Sequence, residues 1–196
     1  MTEPGLRERK KEATRQAIRA AAVALYRERG PQAVTVDDIC ARAGVSPRTF
    51  FNYFDSKEEA VLSLALTPGG VGAGLAARPA GERPMASLRA VFTQRFEQVE
   101  NDPTVQERAL LLREHPDLWA RLAQTSRFVE EAAAEAIAER IGRSVDDVYV
   151  RMTVLAAFAA TRTAFTCWHP GAGMGLVALV NQAMDALEAG LEPPRA

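Results

Sequence analysis

The chain has 196 residues, 47% of them hydrophobic, with two cysteines and a formal net charge of −1. That length and apolar fraction are enough to bury a core and exclude a chain disordered throughout. Cys40 and Cys167, far apart in apolar surroundings, read as free thiols of a reducing compartment rather than a disulfide pair.

The start of the chain is too charged for a signal peptide, and no later run offers the roughly 18 uninterrupted apolar residues of a membrane span. A cytoplasmic protein with no membrane partner is therefore expected. Up to Glu58 the chain carries 11 Lys/Arg against 8 Asp/Glu, a net +3, and the remainder 13 against 17, a net −4. With Arg7, Arg9, Lys10, Lys11 and Arg15 crowded at the beginning, the basic end is the candidate for contact with a polyanion.

In chain order, Ala17, Ile18, Ala21, Ala22, Leu25 and Tyr26 recur at three- and four-residue spacing and predict a first helix over Glu12–Arg29, stopped by Gly30-Pro31. Thr35, followed three positions later by Asp38, has the pattern of a capping box and opens a second helix that runs to about Ala43. Gly44-Val45-Ser46 supplies a residue able to turn left-handed and a new cap, so a third helix starts at Pro47. A fourth follows from Ser56-Lys57-Glu58-Glu59 to Leu66. Between Thr67 and Pro84 stand five glycines and three prolines, a composition that predicts a mobile connection and a domain boundary near Leu66. Helical patterns then cover about Met85–Glu100, Thr104–Glu114, Asp117–Ile141, Val145–Trp168 and Gly175–Ala189.

No strand alternation competes, so the expected fold is all-α with about nine helices, divided into residues 1–66 and 67–196. Two helices joined by a tight turn with a third before them make a helix-turn-helix, whose second helix enters the major groove. Phe50 and Phe54, four apart, are expected to pack with Ile18, Ala22 and Ile39. The last two helices are rich in alanine, which permits close helix approach.

The run from Thr35 through Gly44-Val45-Ser46, then Arg48-Thr-Phe-Phe-Asn-Tyr-Phe-Asp-Ser-Lys-Glu, closely resembles the TetR family of repressors, with a match from about Thr14 to Leu66. The resemblance implies that Pro47, Arg48, Thr49 and Asn52 face the groove while Thr35, Tyr53 and Lys57 meet the phosphate backbone. The residue chemistry agrees: Arg48 suits guanine, Asn52 adenine, and Thr49 phosphate or thymine. Phe51 departs from the family's frequent tyrosine and has no hydroxyl for a phosphate, and Arg48 replaces a common glycine, so no operator sequence carries over. The basic residues before the first helix either reach an adjacent groove or remain a solvated tail.

The resemblance further implies a homodimer paired through the last two helices and an effector pocket in the C-terminal half. Residues 109–122 and 151–168 are similar to actinobacterial TetR members linked to mycofactocin and acyl-CoA sensing, which points to a small apolar or acyl effector. Candidate pocket residues are Phe92, Phe96, Leu112, Trp119, Phe128, Met152, Phe158 and Phe165, with Arg113 or Arg162 near a polar end. Such stripes are also what a plain helical core looks like. Cys167 and His169 alone do not complete a metal site, no arrangement suggests a catalytic nucleophile, and no cofactor is expected. The competing reading is a helical acyl- or lipid-binding protein that keeps a vestigial DNA-binding module.

Overall fold

The computed structural model describes residues 6–62, 68–100, 102–169 and 173–191. Helix α1 spans Leu6–Arg29, beginning earlier than the apolar periodicity requires. Its first turns are Lys-, Arg- and Glu-rich, residue types that extend an existing helix at little cost. The basic stretch is thus a helical extension with Arg7, Arg9, Lys10 and Lys11 exposed.

After a 3-10 turn at Pro31–Ala33 come α2 (Val36–Ala43), α3 (Pro47–Phe51) and α4 (Lys57–Leu62). The two short helices are bounded by their own side chains. Thr35 Oγ1 accepts from the Asp38 amide at 3.2 Å while the Asp38 carboxylate accepts from the Thr35 amide at 2.9 Å. Gly44 closes α2 at φ 67°, and Ser46 Oγ accepts from the Thr49 amide at 3.1 Å to open α3. Residues 63–66, expected to continue the fourth helix, lie outside the described residues.

The glycine-rich stretch corrects the sequence reading: it holds a further helix, α5, over Pro68–Ala76. Its four glycines cost roughly 3–4 kcal/mol relative to alanine. Full burial of Val71 and Leu75, four residues apart on one face, returns about 3–6 kcal/mol. Gly74 lets α5 lie close to its neighbour, since a Cβ there would stand 3.0 Å from Val91 Cγ1. Arg140, reaching from α8 (Asp117–Ile141), donates to the carbonyls of Leu75 at 2.9 Å and Arg78 at 3.0 Å, and so caps the C-terminal end of α5.

The remaining helices are α6 (Pro84–Glu97), α7 (Pro103–Glu114), α9 (Val148–Cys167) and α10 (Leu176–Glu188). All ten helices and no strand make up the described fold, close to the nine expected. One core lies in the C-terminal half around Phe92, Phe96, Val154 and Phe165. The other joins Ile18, Tyr26, Ile39, Phe50 and Phe54 to Leu111, Leu112 and Leu118, so α7 and the start of α8 contribute to the core of the N-terminal head. No described helix is long and apolar enough to cross a membrane.

Candidate nucleic-acid interface and effector region

In the head, burial of one side of α3 decides what the other side presents. Phe50 and Phe54 are fully enclosed, their ring centroids 5.9 Å apart, and fix the helix against α1 and α2. Pro47, Arg48 and Asn52 are then left exposed, with Thr49 and Tyr53 half-buried beside them. Thr35 lies on the exposed surface at the opening of α2. Phe51 is 55% exposed on this surface, a large apolar side chain at a position of solvent contact.

Three of the predicted contact residues already have partners within the head: Thr35 through its reciprocal bonds with Asp38, and Thr49 and Lys57. The Thr49 hydroxyl lies 2.9 Å from that of Ser46. Lys57 Nζ donates to the carbonyls of Val34 at 2.7 Å and Pro31 at 3.1 Å, tying α4 to the turn before α2. An ammonium has three N–H donors, so these bonds leave one for another acceptor. The Lys57 ammonium also stands 6.0 Å from the centre of the Tyr26 ring.

The residues proposed for an effector pocket divide. Phe92 meets Phe158 edge-on at 5.1 Å, and Phe96 meets Phe165 in the same way at 5.6 Å, so these four form the aromatic centre of the C-terminal core. Leu112 is elsewhere, in the core of the head. Phe128 and Met152 are 71% and 60% exposed, on outward faces of α8 and α9. Arg113 and Arg162 also lie on exposed surface. The side chain of Trp119 is outside the described residues. Both cysteines are free thiols, Cys40 buried and Cys167 exposed.

A feature that sequence reasoning missed lies between the two halves. A cleft of about 890 Å³ opens between α1, the end of α6 and the start of α7, and Arg15, Arg19, Arg95 and Arg108 line it together with Glu12 and Asp102. Arg108 is only 2% exposed, and its Nε has no hydrogen-bond partner among the described residues. Burial, reinforced by the nearby Arg19 and opposed by Asp102, brings the Arg108 guanidinium down to about 9. Burial and the neighbouring Arg15 lower Arg19 as well. The signal was present in the sequence: Val105, Arg108, Ala109 and Leu112 fall at i, i+3, i+4 and i+7, which puts an arginine on the apolar face of its helix.

Residues 18–64 match the family of bacterial regulatory proteins called tetR, and residues 82–192 match the MftR C-terminal domain. The HTH-type transcriptional regulator TcmR of Streptomyces glaucescens is 32% identical over 196 residues, covering 94% of this chain and 87% of that protein. FadR of Thermus thermophilus, solved with lauroyl-CoA, superimposes with a TM-score of 0.55 at 23% identity, covering 93% of this chain and 97% of that one. FadR of Bacillus subtilis, solved with stearoyl-CoA, does so with a TM-score of 0.56 at 21% identity, over 90% and 99%. At those identities the two structures establish a shared all-helical fold.

Proposed function

The chain belongs to the tetR family of bacterial regulatory proteins, and on that premise we propose that it is a ligand-responsive transcriptional repressor that binds a near-palindromic operator as a homodimer. The observation that carries this reading is the exposed edge of α3. Phe50 and Phe54 are buried and Arg48 and Asn52 are left outward, two side chains suited to the major-groove edges of guanine and adenine. Pro47, Thr49, Tyr53, Thr35 and Lys57 flank them as groove-facing and phosphate-facing groups.

Dimerisation is supported by α9, where Val148, Met152 and Leu155 form an exposed apolar stripe at 77%, 60% and 49%. With α10 packed beside α9, pairing of the last two helices with those of a second copy covers this stripe. An apolar or acyl effector is supported by the match to the MftR C-terminal domain, by the acyl-CoA bound in two proteins of the same fold, and by the paired phenylalanines of the C-terminal core. The effector regulates only to the extent that it prefers the conformation with lower DNA affinity.

The test is selection of genomic fragments by the purified protein at two salt concentrations, with Arg48→Ala alongside. A palindrome bound by the native chain is expected, and the variant should lose about 1–3 kcal/mol per half-site at one base position. Its folding stability should stay within about 0.5 kcal/mol, since Arg48 is exposed. Binding without sequence preference, or none, would instead favour an acyl-binding protein with a vestigial head.

A further inference from the structure

A buried arginine with no partner for its Nε is costly, and the cleft it lines is built of like charges. Desolvating a guanidinium without a hydrogen-bonded counter-ion opposes folding. Among the described residues Arg108 makes no ion pair; Asp102, the nearby carboxylate, accepts from the Thr104 amide at 2.8 Å through Oδ1. Four arginines and two carboxylates line the cleft, a formal excess of +2, with Arg95 Nη2 also donating to the Gly70 carbonyl at 3.4 Å. That excess equals the charge of a phosphate dianion, and guanidinium forks on several sides match the oxygens of a phosphoryl group better than a single carboxylate.

We propose that the cleft between α1, α6 and α7 is a binding site for a small phosphoryl-bearing anion, with Arg108 as its buried anchor and Arg15, Arg19 and Arg95 closing around it. The volume of about 890 Å³ accommodates a phosphorylated organic molecule as well as free phosphate. The site is placed to matter for DNA binding. The Arg15 and Arg19 guanidinia lie 5.5 and 5.8 Å from the centre of the Phe54 ring, which follows the groove-facing helix. A ligand bridging α1 to α6 and α7 favours the arrangement of head and C-terminal half that suits it, and operator binding must then alter the affinity for that ligand by the same factor.

The experiment is calorimetric titration of the full chain with inorganic pyrophosphate at constant ionic strength, which needs neither operator nor apolar effector and so stands apart from the regulatory reading. Saturable binding with one site per chain is expected, with competition by inorganic phosphate and none by acetate. Arg108→Met should keep the far-UV spectrum, melt no lower than the native chain, and weaken pyrophosphate about tenfold or more. Should that variant fail to fold, Arg95→Gln at the half-buried rim decides, with weakening of about fivefold or more expected. Absence of saturable binding, affinity unchanged in the deciding variant, or equal displacement by acetate would overturn the proposal.

Discussion

The head and the C-terminal half are both helical, yet they are held by interactions of different reach. In the head, Thr35 and Asp38 cap α2 and Ser46 caps α3 through partners three residues away. In the C-terminal half, Arg140 closes α5 from more than 60 residues along the chain. Arg89 joins α6 to α10 through Asn181 at 2.9 Å and Asp185 at 2.6 Å. Glu100 accepts from the Val177 amide at 3.1 Å, at the start of α10. Local capping marks where a short helix begins from residues a few positions apart, whereas a remote arginine contributes only once the chain has folded. The helix boundaries of the head can therefore be read from a short stretch of sequence, whereas α5 cannot.

Leu112 tests that division most severely, because it belongs by sequence to the second half and by packing to the first. Leu112→Ala should cost about 2–5 kcal/mol, as a truncation at a fully buried site. Hydrogen exchange should show the amides of α1 between Ile18 and Tyr26 losing protection together with those of α7. If only α7 and its C-terminal neighbours loosen, the halves are energetically separate and the shared leucines do not couple them.

Lys57 sharpens the comparison within the head. Lys57→Met leaves the carbonyls of Pro31 and Val34 without their donor, and a loss of about 1–3 kcal/mol in denaturant unfolding is expected. A variant as stable as the native chain, whose DNA affinity loses about one unit of salt slope, would make this lysine a phosphate contact alone.

What was legible follows the same division by reach. The capping residues, Gly44 and the Phe50–Phe54 pair declare themselves within a few positions, and the helices they predict are present. Helix α5 was hidden because glycine content argues against a helix, while Val71, Leu75 and the Arg140 cap that outweigh it act through tertiary contacts. The exposure of Phe128 and Met152 could not be read from spacing, since an apolar residue on an outward face looks the same in sequence as one on the inward face. Arg108 was visible on an apolar face but had no partner in the sequence to give it meaning.

Two glycines of α5 separate intrinsic helix preference from packing. Around Gly72 a Cβ would meet nothing within 4 Å among the described residues, so Gly72→Ala should raise stability by about 0.5–1 kcal/mol. At Gly74 the same methyl meets Val91 Cγ1 at 3.0 Å and Cγ2 at 3.2 Å, and the side chain must yield. Thermal melts should therefore rank Gly72→Ala above the native chain and Gly74→Ala below Gly72→Ala. Equal gains in both variants would mean that α5 is not pressed against α6.

The smallest effect comes from a short-range pair in the C-terminal half, where the local caps Asp102 and Asp147 stand beside the remote contacts. Glu82, between α5 and α6, accepts from Arg78 Nε at 2.8 Å and from the buried Ser87 hydroxyl at 2.7 Å. The hydrogen bonds from Arg78 and then Ser87 hold its carboxyl down at about 2, against an ordinary value of 4.5. A folded-state value below the unfolded one gives stability that is complete above about pH 4.5 and disappears as the pH falls toward 2. Glu82→Gln removes that dependence, so the melting temperatures of native and variant chains should converge on acidification through this window. Solvent access and salt keep the difference small, and high ionic strength should reduce it further. Parallel curves for the two chains would mean that Glu82 does not hold the entry to α6, leaving Arg140 as the contact that ties this turn to α8.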